Sequence, residues 1–224
     1  MSKRIYKKKK NKKKKLLKIS GIVLFLIVIY GLLYSASAKN GKEFGPFGKL
    51  FPTKKVGNQN VTEMYLTKNE YSRPGTKLRR VKGIVVHYTA NPGSTAKNNR
   101  DYFEGLKDTK ETYASSHYII GLEGEVIQCI PLNEIAYASN KRNKDTISIE
   151  CCHEDETGKL SEQTYRSLVR LVAWLCGKYN LKQNNIIRHY DVTGKICPKY
   201  FVDHEDAWIQ FKDTVFQYID QYGK

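Results

Sequence analysis

VKGIVVHY, residues 81–88, is an apolar run of β-branched residues that ends beside an imidazole. A run of this kind suits a strand covered on both faces, the situation of sheets with helices packed against them. The chain then turns at Asn91-Pro92-Gly93, and Ser94 or Thr95 can cap a helix reaching about Leu106. Residues 117–121 and 125–129 read as two strands joined in a hairpin at Glu123-Gly124. TISIECC, residues 146–152, alternates as a strand does. Ser161 can cap a helix over 162–179, with Leu168, Leu171, Val172 and Leu175 on its apolar stripe. A short strand at 186–188 follows, then a helix over 205–221 carrying Trp208, Phe211, Val215 and Ile219 at helical spacing. Strands interleaved with helices predict an α/β domain: a mixed central β-sheet flanked by helices, spanning residues 61–224.

The remainder of the 224 residues divides by composition. Eleven of the lysines and arginines behind the net charge of +17 lie in Met1–Lys18, which contains no acid, so the rest of the chain carries only +6. Nucleic-acid binders usually spread their cations over a folded face, whereas here ISGIVLFLIVIYGLL, residues 19–33, follows at once. The order predicts a basic cytoplasmic tail over 1–18 and a transmembrane anchor over 19–38, with everything beyond exported and no nucleic-acid partner. Ala36-Ser37-Ala38 resembles a cleavage site, so the span would alternatively be a signal sequence and the protein secreted. Residues 39–60, rich in Gly, Lys, Pro and Phe without periodicity, read as a linker. A monomer is expected. The five cysteines, 129, 151, 152, 176 and 197, are odd in number and show no framework spacing, so a disulfide scaffold is not indicated and a metal site becomes a candidate.

His87 and His189 each stand at the polar end of an apolar strand, and Cys197 lies eight residues beyond the second. Two imidazoles and a thiolate make a good zinc set, and leaving the fourth tetrahedral position to water would make the site catalytic. Singly these residues mean little: a lone His is more often a hydrogen-bonded structural residue, and a lone Cys is usually packing. They gain weight from the loop RHYDVTGKICP, residues 188–198. With HYTAN (87–91), SSHYIIGLEGEVIQCIP (115–131) and TISIE (146–150), it occurs in an order that resembles the zinc-dependent N-acetylmuramoyl-L-alanine amidases, a family that includes animal peptidoglycan recognition proteins.

That resemblance implies that His87, His189 and Cys197 ligate Zn2+, with Lys195 close to the scissile carbonyl oxygen, where an ammonium would stabilise the oxyanion. It also makes Glu150 the expected general base. Strand alternation places Glu150 with Ser148 and Cys152, opposite Ile147, Ile149 and Cys151. Some members of the family carry a catalytic tyrosine where Ser116 stands; a serine hydroxyl is too short and too weakly acidic to replace it, which moves the acid/base burden to Glu150. His117 reads as a packed or supporting residue, and His153 and His204 as surface residues. Cys151 and Cys152 point to opposite faces and read as packing, as do Cys129 and Cys176.

The expected activity is hydrolysis of the amide between N-acetylmuramic acid and L-alanine in peptidoglycan, on a chain held to the membrane by its N-terminal helix. The alternative from another class is a non-catalytic peptidoglycan-binding receptor of the same fold, which loss of Cys197 or a metal histidine would mark; all three residues are present. A Cys-His hydrolase using Cys197 as nucleophile is a further alternative, and it would survive chelation.

Overall fold

The computed structural model describes residues 52–224, together with Phe25, Val28 and Ile29, which are helical. Apart from those three residues, the basic tail, the apolar span and the expected linker as far as residue 51 lie outside the described residues. Among the described residues no helix is long and apolar enough to cross a membrane.

Six strands form one mixed sheet in the order β1-β4-β3-β5-β2-β6. At its centre β2 (Gly83–Tyr88) and β5 (Thr146–Cys151) run parallel, and their register places His87 opposite Glu150. β6 (Ile186–Arg188) lies parallel along the other edge of β2. β3 (Tyr118–Ile120) runs parallel to β5 and pairs antiparallel with β4 (Val126–Gln128), while β1 (Thr62–Glu63) adds parallel to β4. The β3–β4 hairpin turns at Gly124, whose φ is +81° and where a Cβ would stand 2.8 Å from the Gln163 carbonyl oxygen. Only glycine satisfies both demands.

Alternation along the central strands divides the interior in two. Ile84, Val86, Ile147, Ile149 and Cys151 enter one core, which α2 (Glu162–Tyr179) and α5 (Glu205–Tyr222) cover with Leu168, Leu171, Val172, Leu175, Trp208, Phe211 and Val215. Ile119, Ile127, Cys129 and Cys152 enter the other, beneath Ala96, Phe103 and Leu106 of α1 (Ala96–Thr109). The Thr95 and Ser161 hydroxyls cap α1 and α2 by accepting from backbone N–H groups of the first turn. All five cysteines are free and buried, so the thiols serve packing or chemistry rather than cross-linking.

Pro52 to Asn60, read from composition as the end of a linker, packs against the domain. Lys55 exchanges two backbone hydrogen bonds with Lys224, the Thr53 hydroxyl donates to the Leu181 carbonyl at 2.7 Å, and Val56 is buried. Gly177 permits this approach, since a Cβ there would meet the Lys54 carbonyl oxygen at 2.7 Å. His153, expected on the surface, is 1% exposed; its ring stacks on Tyr88 at 5.0 Å and its Nδ1 bonds the Asp155 carbonyl. The polar HEDE that follows the strand conceals this, because the turn folds the imidazole back under the sheet edge.

A bidentate pair fastens the segment that leads to the site. The Arg73 guanidinium donates from Nε and Nη2 to Glu134 at 2.8 and 2.9 Å, with both side chains about 14% exposed, and Nη1 donates to the Leu66 carbonyl. These bonds hold the Glu134 carboxyl below the ordinary carboxylate range against the opposing effect of burial. The stabilisation is therefore present above the ordinary carboxyl pKa and is lost as pH falls through the depressed one. Glu134→Gln is expected to cost about 2–3 kcal/mol, somewhat less than loss of one partner from a fully buried pair. In thermal unfolding at neutral pH that is a drop of roughly 5–10 °C, and the gap to wild type should close in acid.

Candidate metal centre

The carboxyl ends of parallel strands are where open α/β sheets build sites, and three chemical groups reach that edge here. His87 is the penultimate residue of β2, Glu150 the penultimate residue of β5, and His189 the first residue after β6. His87, His189 and Cys197 are all buried, and one ligand atom from each lies within 4.8 Å of the others. The His87 Nδ1 is 3.7 Å from the Cys197 Sγ and 4.0 Å from the Glu150 Oε1, and the two imidazole centroids are 4.8 Å apart.

Second partners orient both rings. The His87 Nε2 lies 3.1 Å from the Ser139 hydroxyl and the His189 Nε2 lies 3.1 Å from the Asn140 amide oxygen. If each Nε2 carries the proton, each Nδ1 keeps a free lone pair, and that of His87 faces Cys197 and Glu150, the arrangement in which a hydrogen-bonded imidazole ligates a metal. Ser139 and Asn140 are set by Asn143, whose amide oxygen accepts from the backbone N–H groups of Ala138 and Ser139, and by the left-handed φ of 49° at Asn140. Asparagine tolerates that conformation better than most residues.

The loop after β6 is more ordered than its sequence suggests. Residues 190–193 form a helical turn, α3 (Tyr190–Thr193), closed by Gly194 at φ +81°, and α4 (Lys199–Asp203) follows Cys197 at once. Arg188 anchors it: Nη2 and the backbone N–H donate to Asp191 at 2.9 and 2.8 Å, and Nη1 donates to Glu205 and to the Phe201 carbonyl. His189 is thus held between a strand and a clamped turn.

Electrostatics suit a cation. Burial, then the neighbouring His189 and Lys195, drive the His87 pKa well below its usual value; burial and Lys195 lower that of His189. Both rings are therefore neutral, the form that donates to metals. Burial and the Glu150 charge push the Cys197 thiol up to about 12, against the pull of the Tyr88 backbone N–H and Lys195. Such a thiol is no activated nucleophile; a thiolate in this pocket needs a metal ion beside it. Burial raises the Glu150 carboxyl to about 8, with Lys195 opposing, and its Oε2 is a buried atom without a hydrogen-bond partner. The donor set and this unpartnered oxygen fit a bound divalent ion with a water beside it.

The expected site residues thus fall in one place. Glu150 stands beside the three candidate ligands, and Lys195, whose side chain is exposed, is close enough for its charge to bear on His87, His189, Glu150 and Cys197. His117 lies apart from the ligand trio, fixed between the Ser148 hydroxyl and the Glu134 carbonyl at 3.0 Å each. The Ser116 hydroxyl donates to the Tyr118 carbonyl, and is turned to the backbone. Ser139 and Asn140 escaped sequence reading, because short polar residues in a loop offer no periodicity or motif by which to find them, and the clamp that Arg188 makes was hidden because its partner Glu205 lies far along the chain.

An α/β domain with two imidazoles, a thiol and a buried carboxylate converging at the strand ends defines a candidate metal-dependent hydrolase. The chain matches the Amidase_2 family, the N-acetylmuramoyl-L-alanine amidases, over residues 77–200, and belongs to that family. CwlL, an N-acetylmuramoyl-L-alanine amidase of Bacillus licheniformis, is 40% identical over 168 residues, covering 69% of this chain and 46% of the relative. BlyA, an N-acetylmuramoyl-L-alanine amidase of Bacillus subtilis (strain 168), is 37% identical over 175 residues, with the same coverage of 69% and 46%. The chain therefore spans about half the length of the curated relatives it matches. Among solved structures, the catalytic domain of XlyA superposes with a TM-score of 0.59 at 25% identity, covering 70% of this chain and 99% of that domain.

Proposed function

We propose that this protein is a zinc-dependent N-acetylmuramoyl-L-alanine amidase that hydrolyses the lactyl amide joining N-acetylmuramic acid to L-alanine in peptidoglycan. The observation that carries the reading is the meeting of His87, His189 and Cys197 within 4.8 Å, with Glu150 beside them, in a chain of this family. Zinc held by those three residues would polarise the amide carbonyl and make water a nucleophile at neutral pH. With a divalent cation beside it favouring the ionised carboxylate over the neutral form that burial alone prefers, Glu150 would take the proton of the attacking water as its oxygen bonds to the carbonyl carbon, then deliver it to the departing L-alanine nitrogen as the C–N bond breaks. The Lys195 ammonium stabilises negative charge on the carbonyl oxygen, while Ser139 and Asn140 keep the imidazoles in their ligating tautomer.

The lysines ahead of the apolar run support a single-pass placement with the catalytic domain outside the cytoplasm. Digestion of purified peptidoglycan is expected to release new L-alanine amino termini, read by amine labelling and mass spectrometry. New reducing sugar ends, or termini within the stem peptide, would contradict the assignment.

A further inference from the structure

Three tyrosines from separate stretches of the chain meet, and one of them, Tyr137, precedes the loop that orients the metal-centre histidines. Tyr113, 53% exposed, stacks on Tyr71 with ring centroids 5.1 Å apart and stands edge-on to Tyr137 at 5.6 Å. Its hydroxyl donates to Glu70 at 2.9 Å. Tyr137 is pinned in turn, its N–H donating to the Ser115 hydroxyl and its carbonyl accepting from the Ser115 N–H. Two residues further on is Ser139, whose hydroxyl holds His87; two residues of chain reach at most about 7 Å. Tyr137, one member of the aromatic cluster, is therefore two residues from the side chain that orients the ligand His87.

An exposed ring fixed by a stack, an edge contact and a hydrogen bond has already surrendered its rotamer freedom, so a ligand laid on it incurs little further ordering cost. Tyrosine offers a broad apolar face with a polar rim. A pyranose has the matching form, with C–H groups on its face and hydroxyl or acetamido groups around its edge. The Glu70 carboxylate would accept from a neutral sugar and repel an acidic peptide.

We propose that Tyr71, Tyr113 and Tyr137 form a stacking platform for the glycan strand of peptidoglycan, holding sugar units beyond the muramic acid whose amide is cut. The inference rests on the amidase reading for the identity of the polymer, and Tyr113 is its central contact. It makes the enzyme a reader of glycan length, favouring polymer over small muropeptides.

The test titrates the full chain in detergent micelles, tyrosine rings isotopically labelled, with a soluble β-1,4-linked N-acetylglucosamine tetrasaccharide, and follows the ring resonances by NMR. Saturable shifts are expected at Tyr71, Tyr113 and Tyr137 in wild type, and at Tyr71 and Tyr137 in Tyr113→Phe, which keeps the stacking face. Tyr113→Ala is expected to weaken saccharide binding about tenfold and raise KM on polymeric peptidoglycan about tenfold, with cleavage of a single-sugar muropeptide unchanged. Absence of saccharide shifts in wild type overturns the platform, as do shifts produced by stem peptide but not by saccharide, or equal losses on both substrates. Failure of wild type to cleave the muropeptide would count against the amidase reading instead, and the saccharide titration, which needs no turnover, would still decide the platform.

Discussion

Glu150→Gln is expected to lower kcat on peptidoglycan by about 10²–10⁴ while zinc content and thermal stability stay close to wild type. Glutamine preserves the shape of the side chain but removes the group that accepts and returns a proton. The carboxylate sits 4.0 Å from the His87 Nδ1, paired in register with His87 across β2 and β5, and its Oε2 has no protein partner to satisfy it. Nothing in the fold depends on that oxygen, so the loss should appear in the chemical step. Single-turnover kinetics alongside metal analysis would separate the possibilities. Retention of more than about a tenth of wild-type kcat would mean that another group moves the proton. Loss of zinc from the variant would make Glu150 a support of the metal rather than the base.

Cys197→Ser is expected to have the other large effect, loss of bound zinc and with it of hydrolysis. The thiol is buried beside the His87 Nδ1 at 3.7 Å, and a serine oxygen is shorter and a poor partner for this metal. Zinc at a thousandfold excess over its Kd stabilises a fold by about 4 kcal/mol. Chelation should therefore lower the melting temperature of the wild type and leave that of Cys197→Ser unmoved. A Cys197→Ser protein that still binds zinc and still cleaves would remove the thiolate from the ligand set. One that binds zinc normally yet is inactive would revive the nucleophilic cysteine, which the elevated thiol pKa of about 12 opposes.

How far the sequence disclosed this site follows from which interactions were local. VKGIVVHY announced its strand by a β-branched apolar run and TISIECC by alternation, both properties of adjacent residues, and the ends of those strands brought His87 and Glu150 to one edge. Ser161 marked the start of its helix by a capping bond three residues away. The groups that orient the imidazoles were invisible for the opposite reason. Ser139 meets His87 across 52 residues and Asn140 meets His189 across 49, contacts that no window of sequence contains. The helical turn after His189 was hidden likewise, since the Arg188 clamp draws on Glu205 seventeen residues on. His153 misled because a polar neighbourhood normally means exposure, whereas stacking on Tyr88 buries it. Pro52 to Asn60 carries few apolar residues, yet the approach allowed by Gly177 and the pairing of Lys55 with Lys224 tie it to the domain.

The most direct test of the central claim follows release of L-alanine amino termini from purified peptidoglycan by the wild-type protein as prepared, after chelation, and after zinc is restored. Release that disappears with the chelator and returns with zinc is the result the His87-His189-Cys197 centre requires. Release that continues undiminished in chelator, with the protein shown to be free of metal, would contradict it.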